Sequence, residues 1–73
     1  MRMTATVISG VDGDGMRRWR FFIGPPSCPE LSMSGFVDRD AAVAGAHLWA
    51  EHVVVAEDDA AAADVLARLE RAA

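Results

Sequence analysis

The chain has 73 residues, 52% of them hydrophobic and 25% charged, with a formal net charge of −4. This length and composition are typical of one small globular domain, here residues 1–73, and exclude a disordered or fibrous protein. Its single cysteine, Cys28, excludes an internal disulfide bond, and its apolar runs are too short for a signal peptide or a membrane span. These features favour a cytoplasmic protein. A core this small is only marginally stable alone, so we expect a homodimer.

The charge is unevenly distributed along the sequence. Residues 1–36 carry four arginines and three acids, a net of +1, whereas residues 37–73 carry three arginines and eight acids, a net of −5. An acidic C-terminal half repels phosphate backbones and suits a basic protein partner.

The first third of the chain has the pattern of a β-hairpin. Residues 3–11 are rich in β-branched side chains and predict a strand, and residues 16–23 predict a second one. The "DGDG" segment between them supplies the turn residues that a hairpin needs. In the second strand, alternation places Trp19, Phe21 and Ile23 on one face and Arg18, Arg20 and Phe22 on the other.

Three prolines within residues 25–29 predict a loop after the hairpin, because proline cannot continue a paired strand. Residues 31–37 alternate again and predict a third strand. Asp38 is a suitable N-cap for a helix that begins at Arg39.

The predicted first helix has a face of small residues. At 100° per residue, one face carries Ala42, Ala46, Trp49 and Val53, and the opposite face carries Asp40, His47 and Glu51. Trp49 is then the large anchor against the sheet, and Trp49→Ala is expected to be the most damaging change, at about 3–5 kcal/mol. Residues 53–55 are three valines, which fit either the end of this helix or a short fourth strand.

A second helix is predicted over residues 60–73. Three acids, residues 57–59, precede it where a helix N-terminus favours negative charge, and Asp64 and Arg68 are spaced to pair within it. The element order ββ(β)α(β)α predicts an α+β fold, a small antiparallel sheet packed against one long and one C-terminal helix. The predicted core residues are Trp19, Phe21, Phe36, Leu48, Trp49, Leu66 and Leu69.

The motifs that suggest catalysis or metal binding are incomplete. A calcium loop opening at Asp12 would need glycine at its sixth position and glutamate at its twelfth, which are Arg17 and Ile23. His47 and His52 are five residues apart, not the four of a helical zinc pair. Cys28 has no base beside it in the sequence. We therefore expect a non-enzymatic protein with no cofactor and no metal.

The arginine-rich second strand allows three interpretations. Arg18, Arg20 and Phe22 could contact phosphates and stack on the bases of a single-stranded nucleic acid, could bind a protein, or could pair with carboxylates of the acidic half. The leading hypothesis is a small acidic interaction module, antitoxin-like or inhibitor-like, that binds a basic protein, with the nucleic-acid binder as the alternative. The candidate partner-binding residues are Arg18, Arg20, Phe22, Asp40, His47 and Glu51.

The segment "PELSMSGFVDRDAAVAGA", residues 29–46, resembles part of the HicB-type antitoxins, where a third strand passes through a glycine into a capped helix with alanines four apart. The matching positions are Gly35, Asp38, Asp40, Ala42 and Ala46. The match needs a one-residue shift after Gly35 and covers 18 of the 73 residues. The resemblance implies an antitoxin domain that covers a small basic toxin and lacks a separate DNA-binding domain.

Overall fold

The computed structural model describes residues 3–72 and has a four-stranded sheet with a helix on each face. Its strand order is β3-β2-β1-β4, in which β4 runs parallel to β1 and the other neighbours are antiparallel. The predicted α+β class is confirmed, and the three valines belong to a strand. The elements in chain order are β1 (Thr4–Val11), β2 (Arg17–Ile23), β3 (Leu31–Phe36), α1 (Arg39–His47), β4 (His52–Val55) and α2 (Asp59–Ala72).

The predicted hairpin forms between β1 and β2. Its turn is closed by the Asp12 N–H donating to the Met16 carbonyl at 2.9 Å and by the Gly15 N–H donating to the Asp12 carbonyl at 2.9 Å. Gly15 has a φ of 81°, a left-handed conformation that glycine adopts without steric cost. The Asp14 carboxylate accepts the Met16 N–H at 3.0 Å, so both aspartates of the "DGDG" segment stabilise the turn.

β3 is an edge strand with an irregularity. Its pairing with β2 shifts register between Trp19 and Phe21, close to Gly35, which has a φ of 88°. Such a bulge twists an edge strand and interrupts its ladder. The last residue, Phe36, pairs with Trp19 and packs over the same face as Phe21.

α1 covers the main core. Asp38 caps it, accepting the Ala41 N–H at 2.7 Å, as the sequence predicts. Its buried alanines, Ala42 and Ala46, let the helix approach the sheet closely. Beneath them Phe21 is fully buried, with its ring centroid 5.9 Å from that of Phe36. The predicted burial of Phe21 is confirmed.

The predicted extension of α1 is wrong. The helix ends at His47, and Leu48 and Trp49 are 81% and 53% exposed. The chain has to leave the helix here because residues 52–55 pair with β1. The turn that joins α1 to β4 buries Ala50 and leaves Trp49 exposed to solvent. Leu48 and Trp49 are therefore not core residues.

α2 covers the opposite face of the sheet. Ile8 and Phe22 of the sheet are buried there, and Leu66 and Leu69 of the helix pack against them while staying half-buried. Asp58 caps α2 by accepting the Ala61 N–H at 2.7 Å. The predicted pair of Asp64 and Arg68 forms at 2.8 Å, and the predicted core residues Leu66 and Leu69 face the sheet.

Candidate protein-interaction surface

Three segments that are distant in sequence meet at one end of the sheet. The β1–β2 turn lies there, and β3 ends there because Phe36 pairs with Trp19, so α1 also starts there. β4 ends two residues short of this level, where Val55 pairs with Val7 and the Ala56 N–H donates to the Val7 carbonyl at 2.9 Å, and the contact of Asp59 with Arg17 places the start of α2 beside the hairpin. The loop into α2 follows at once, and both helix N-termini therefore lie at this end.

Most of the acidic residues of the chain belong to these three segments. We call the acids and arginines of the three segments, named below, the acidic end. It has three arginines, Arg17, Arg18 and Arg39, and a net charge of −4, equal to the formal charge of the whole sequence. The remaining four arginines and four acids of the sequence balance. The acids of the acidic end are Asp12, Asp14, Asp38, Asp40, Glu57, Asp58 and Asp59.

Each of the three arginines pairs with acids of the acidic end. Arg17 lies 3.5 Å from an Asp59 oxygen and ties the hairpin to α2. Arg18 lies 3.7 Å from Asp12 and 3.4 Å from Asp14, within its own turn. These pairs are solvent-exposed, so each contributes less than about 1 kcal/mol to stability. Only the pairs of Arg17 with Asp59 and of Arg39 with Glu57 link different segments.

Arg39 bridges the starts of the two helices. Its guanidinium donates to Glu57 at 2.8 Å and lies 3.5 Å from Asp40. The hydrogen bond and then the charge of Glu57, with a smaller effect of Asp40, raise the pKa of Arg39 above its ordinary value. Arginine is already protonated at all relevant pH values, so this shift does not change the charge of Arg39.

The acids differ in how much of each carboxylate remains available. Asp38 and Asp58 each use one oxygen to cap a helix. Asp40 and Asp59 are held only by contacts of 3.5 Å, and their side chains are 89% and 78% exposed. Among the ion-paired acids of the acidic end, these two carboxylates have the most exposed side chains.

A shallow cleft of about 280 Å³ lies within the acidic end, between the hairpin and the start of α2. Trp19 and Ser9 form one side, and residues 57–59 form the other. Arg17 also lines the cleft and donates to Ser9 Oγ at 2.7 Å. The cleft thus combines an aromatic wall with carboxylates, a surface that favours cationic side chains.

The carboxylates do not converge on a metal site. Within residues 3–72, no group of three or more histidine, cysteine, aspartate or glutamate side chains is arranged to hold a metal ion. The acids are instead spread over three segments, an arrangement that matches an extended basic surface better than a single ion.

The predicted arginine strand is only partly available for binding. Arg18 pairs with the turn acids Asp12 and Asp14, and not with the carboxylates of the acidic C-terminal half that the third interpretation names. Arg20 is exposed and lies over the Phe22 ring at 6.0 Å. Phe22 is only 3% exposed because α2 covers it, and it cannot stack on a base. The geometry that the nucleic-acid interpretation needs is therefore missing at Phe22.

The remaining predicted residues lie at two ends of the molecule. Asp40 belongs to the acidic end. His47 is the last residue of α1 and Glu51 lies in the bend before β4, so the two do not share a helix face as predicted. Both side chains are exposed.

The sequence analysis did not predict that the turn acids lie beside residues 57–59. The only local signal for this group was the number of acids in each segment.

Cys28 is exposed, in the loop between β2 and β3. None of the helices in the described part of the chain is long and apolar enough to cross a membrane.

Comparison of the chain with protein-family models, with curated proteins and with solved structures finds no match. The similarity of residues 29–46 to HicB-type antitoxins remains a resemblance of that segment.

Proposed function

We propose that the protein is a non-enzymatic interaction module of the cytoplasm that binds a basic protein through its acidic end, as an antitoxin-like or inhibitor-like factor does. The observation that carries this proposal is the concentration of the whole formal charge of −4 at one end of the sheet. A patch of one sign attracts a partner of the other sign and orients it before contact.

The contacts within the acidic end favour a protein partner over a small cation. Its carboxylates lie on three segments that are held together by Arg17 and Arg39, so the surface is preformed. A preformed surface loses little conformational entropy on binding. Because the charges are exposed, the complex should weaken as salt is raised.

The proposal is tested by capture from a nuclease-treated cell lysate at low and moderate salt. The first variant lowers the net charge of the acidic end from −4 to −1 without touching a helix cap, through Asp12→Asn, Asp40→Asn and Asp59→Asn. The matched control changes the net charge equally elsewhere, through Glu30→Gln, Asp64→Asn and Glu70→Gln. Circular dichroism of both variants checks that they are folded.

We expect the wild type and the control to retain one stoichiometric basic protein, and the acidic-end variant to lose about tenfold or more in affinity. Equal losses in both variants would show that only the net charge matters and would contradict a specific surface. Recovery of nucleic acid alone, removed by nuclease, would transfer the function to the arginine strand.

Self-association is part of the same proposal, because a core of this size gains stability from a second subunit. The mass of the protein in solution, measured by light scattering over a range of concentrations, tests for the homodimer. A monomer at all concentrations would contradict it.

A further inference from the structure

A groove on the face of the sheet that α2 covers is not filled by the side chains around it. α2 lies over β1, and between this helix and β4 a groove of about 200 Å³ remains open. Its lining is mostly apolar, with Val54 from β4 and with Val65 and Leu69 from α2. The other lining residues are Thr4, Thr6 and Arg68. None of the lining residues belongs to the acidic end, so the groove is a separate surface.

Thr6 brings a hydroxyl group into this apolar groove. It lies on β1 between its two pairing partners, Phe22 of β2 and Val54 of β4, and is only 4% exposed. Its hydroxyl makes no hydrogen bond to any of residues 3–72. Because no enclosed polar side-chain atom in that range lacks a partner, the Thr6 oxygen must open into the groove. A hydroxyl in an apolar site is costly when unpaired, so its hydrogen-bond partner has to enter through the groove.

The size and charge of the groove limit what can occupy it. Its volume of about 200 Å³ exceeds the roughly 150 Å³ that holds a benzene ring and is below the roughly 300–1,000 Å³ of sites for drug-sized ligands. The groove therefore accepts one six-membered ring. Arg68, the only charged residue of its lining, donates to Asp64 at 2.8 Å, so this charge is already compensated. The occupant that fits is a neutral ring with one hydrogen-bonding group.

The open side of the groove indicates that this ring belongs to a larger molecule. Sites for free small molecules bury most of the surface of the ligand, which a groove open along one side cannot do. A side chain whose backbone stays outside fits instead. Among side chains, tyrosine combines a single six-membered ring with a hydroxyl at its tip. The sequence contains no tyrosine, so a second copy of this chain cannot supply it.

We propose that the groove between α2 and β4 binds a tyrosine side chain of the basic partner, with its ring against Val54, Val65 and Leu69 and its hydroxyl bonded to Thr6. This inference rests on the proposed function and names a second point at which the partner is held. The acidic end attracts and orients the partner through charge. The groove then selects a neutral group by shape and by one hydrogen bond.

The test uses small probes and two matched variants. p-Cresol is the tyrosine side chain alone, toluene lacks the hydroxyl, and an acetylated Gly-Tyr-Gly amide carries the same phenol on a backbone. Binding is followed by NMR titration, in which the methyl signals of Val54, Val65 and Leu69 locate the site. Thr6→Val removes the hydroxyl and keeps the branched shape, and Thr4→Val makes the same change at an exposed residue of the lining.

We expect p-cresol and the tyrosine peptide to shift the methyl signals of the groove. The ratio of the p-cresol affinity to the toluene affinity should fall about fivefold in Thr6→Val and stay nearly unchanged in Thr4→Val. The ratio is the appropriate measure because toluene is the more hydrophobic probe. Since Thr6→Val replaces an unpaired buried hydroxyl with a methyl group, it should also raise the midpoint of thermal unfolding.

The absence of p-cresol binding at millimolar concentration, or shifts confined to residues outside the groove, would overturn the inference. So would an unchanged ratio in Thr6→Val, an equal fall in Thr4→Val, or a lower unfolding midpoint of Thr6→Val, which would show that the hydroxyl has a partner within the protein. Binding of p-cresol without binding of the tyrosine peptide would identify a free small phenol as the occupant and would also overturn it. The lysate experiment judges the acidic end separately, so the failure of either proposal can be recognised.

Discussion

The two faces of the sheet are covered by helices in different ways. Under α1, Phe21 and Val7 are fully buried, and alanines bring the helix backbone close to the aromatic rings. Under α2, Phe22 and Ile8 are buried, but Leu66 and Leu69 stay half-buried and a groove remains open beside β4. The shorter helix therefore covers the denser core, and the longer helix covers the thinner one.

This difference assigns separate roles to the two faces. A dense core with a large buried aromatic contributes most of the stability of a small domain. A face with an open groove next to a free edge contributes less and remains accessible. We therefore expect substitutions under α1 to destabilise the whole domain and those under α2 to have smaller effects.

The largest expected effect is that of Phe21→Ala. Removing this ring from the closed core should cost about 3–5 kcal/mol, which would unfold most of a domain of this size. Phe22→Ala should cost less, about 2–3 kcal/mol, because the thinner face can relax into the space. Urea unfolding followed by circular dichroism measures both. A greater loss for Phe22→Ala would reverse the comparison of the two faces.

Gly45→Ala tests how closely α1 approaches the rings. A methyl group at this position would lie 3.0 Å from the Phe36 ring tip and 3.5 Å from Phe21. Alanine favours a helix by about 1 kcal/mol over glycine, but overpacking here should cost more, for a net destabilisation of about 1 kcal/mol.

The neighbouring change Ala44→Gly, at an exposed position of α1, measures the helix propensity alone. The double variant Gly45→Ala with Phe36→Leu should recover the stability, because the smaller side chain removes the contact. A Gly45→Ala protein more stable than the wild type would show that the packing under α1 is looser than described.

The two helix caps provide a matched pair. Asp38→Ala should lower the global stability by about 1 kcal/mol, because α1 cannot loosen without opening the main core. Asp58→Ala removes the same kind of bond, 2.7 Å in both caps, but should mainly fray the first turn of α2. Hydrogen exchange distinguishes a global from a local opening. Global loss from Asp58→Ala alone would contradict the comparison.

The smallest expected effect is that of Trp49→Ala. The side chain is 53% exposed, so its loss should cost below about 1 kcal/mol, much less than the pattern of the sequence predicts. Thermal unfolding of this variant beside Leu48→Ala measures it. A loss as large as that of Phe21→Ala would mean that Trp49 packs into the core after all.

The local parts of the fold could be predicted from the sequence. The "DGDG" turn, the cap at Asp38 and the pair of Asp64 with Arg68 depend on residues a few positions apart, and each occurs as expected. The alternation in β2 also places Phe21 and Phe22 on opposite faces, as predicted. What alternation cannot show is that α2 buries Phe22 and so removes it from any binding surface.

The non-local parts could not be predicted. β4 forms because residues 52–55 pair with the start of β1, about 48 positions earlier in the chain, and this pairing ends α1 before Trp49. The acidic end likewise depends on topology, because it joins Asp12 and Asp14 of the weakly basic N-terminal half to residues 57–59. A charge sum over each half of the sequence assigns these acids to different halves, although the fold brings them together at one end of the sheet.

The location of the acidic end also gives the molecule an electric dipole directed along its strands. The described residues beyond that end are nearly neutral, with three arginines against four acids. In the field of a positively charged molecule it experiences a torque before any contact forms, and it rotates so that the β1–β2 turn leads. Two copies that meet in solution would favour an antiparallel alignment of their dipoles, with the acidic ends pointing away from each other.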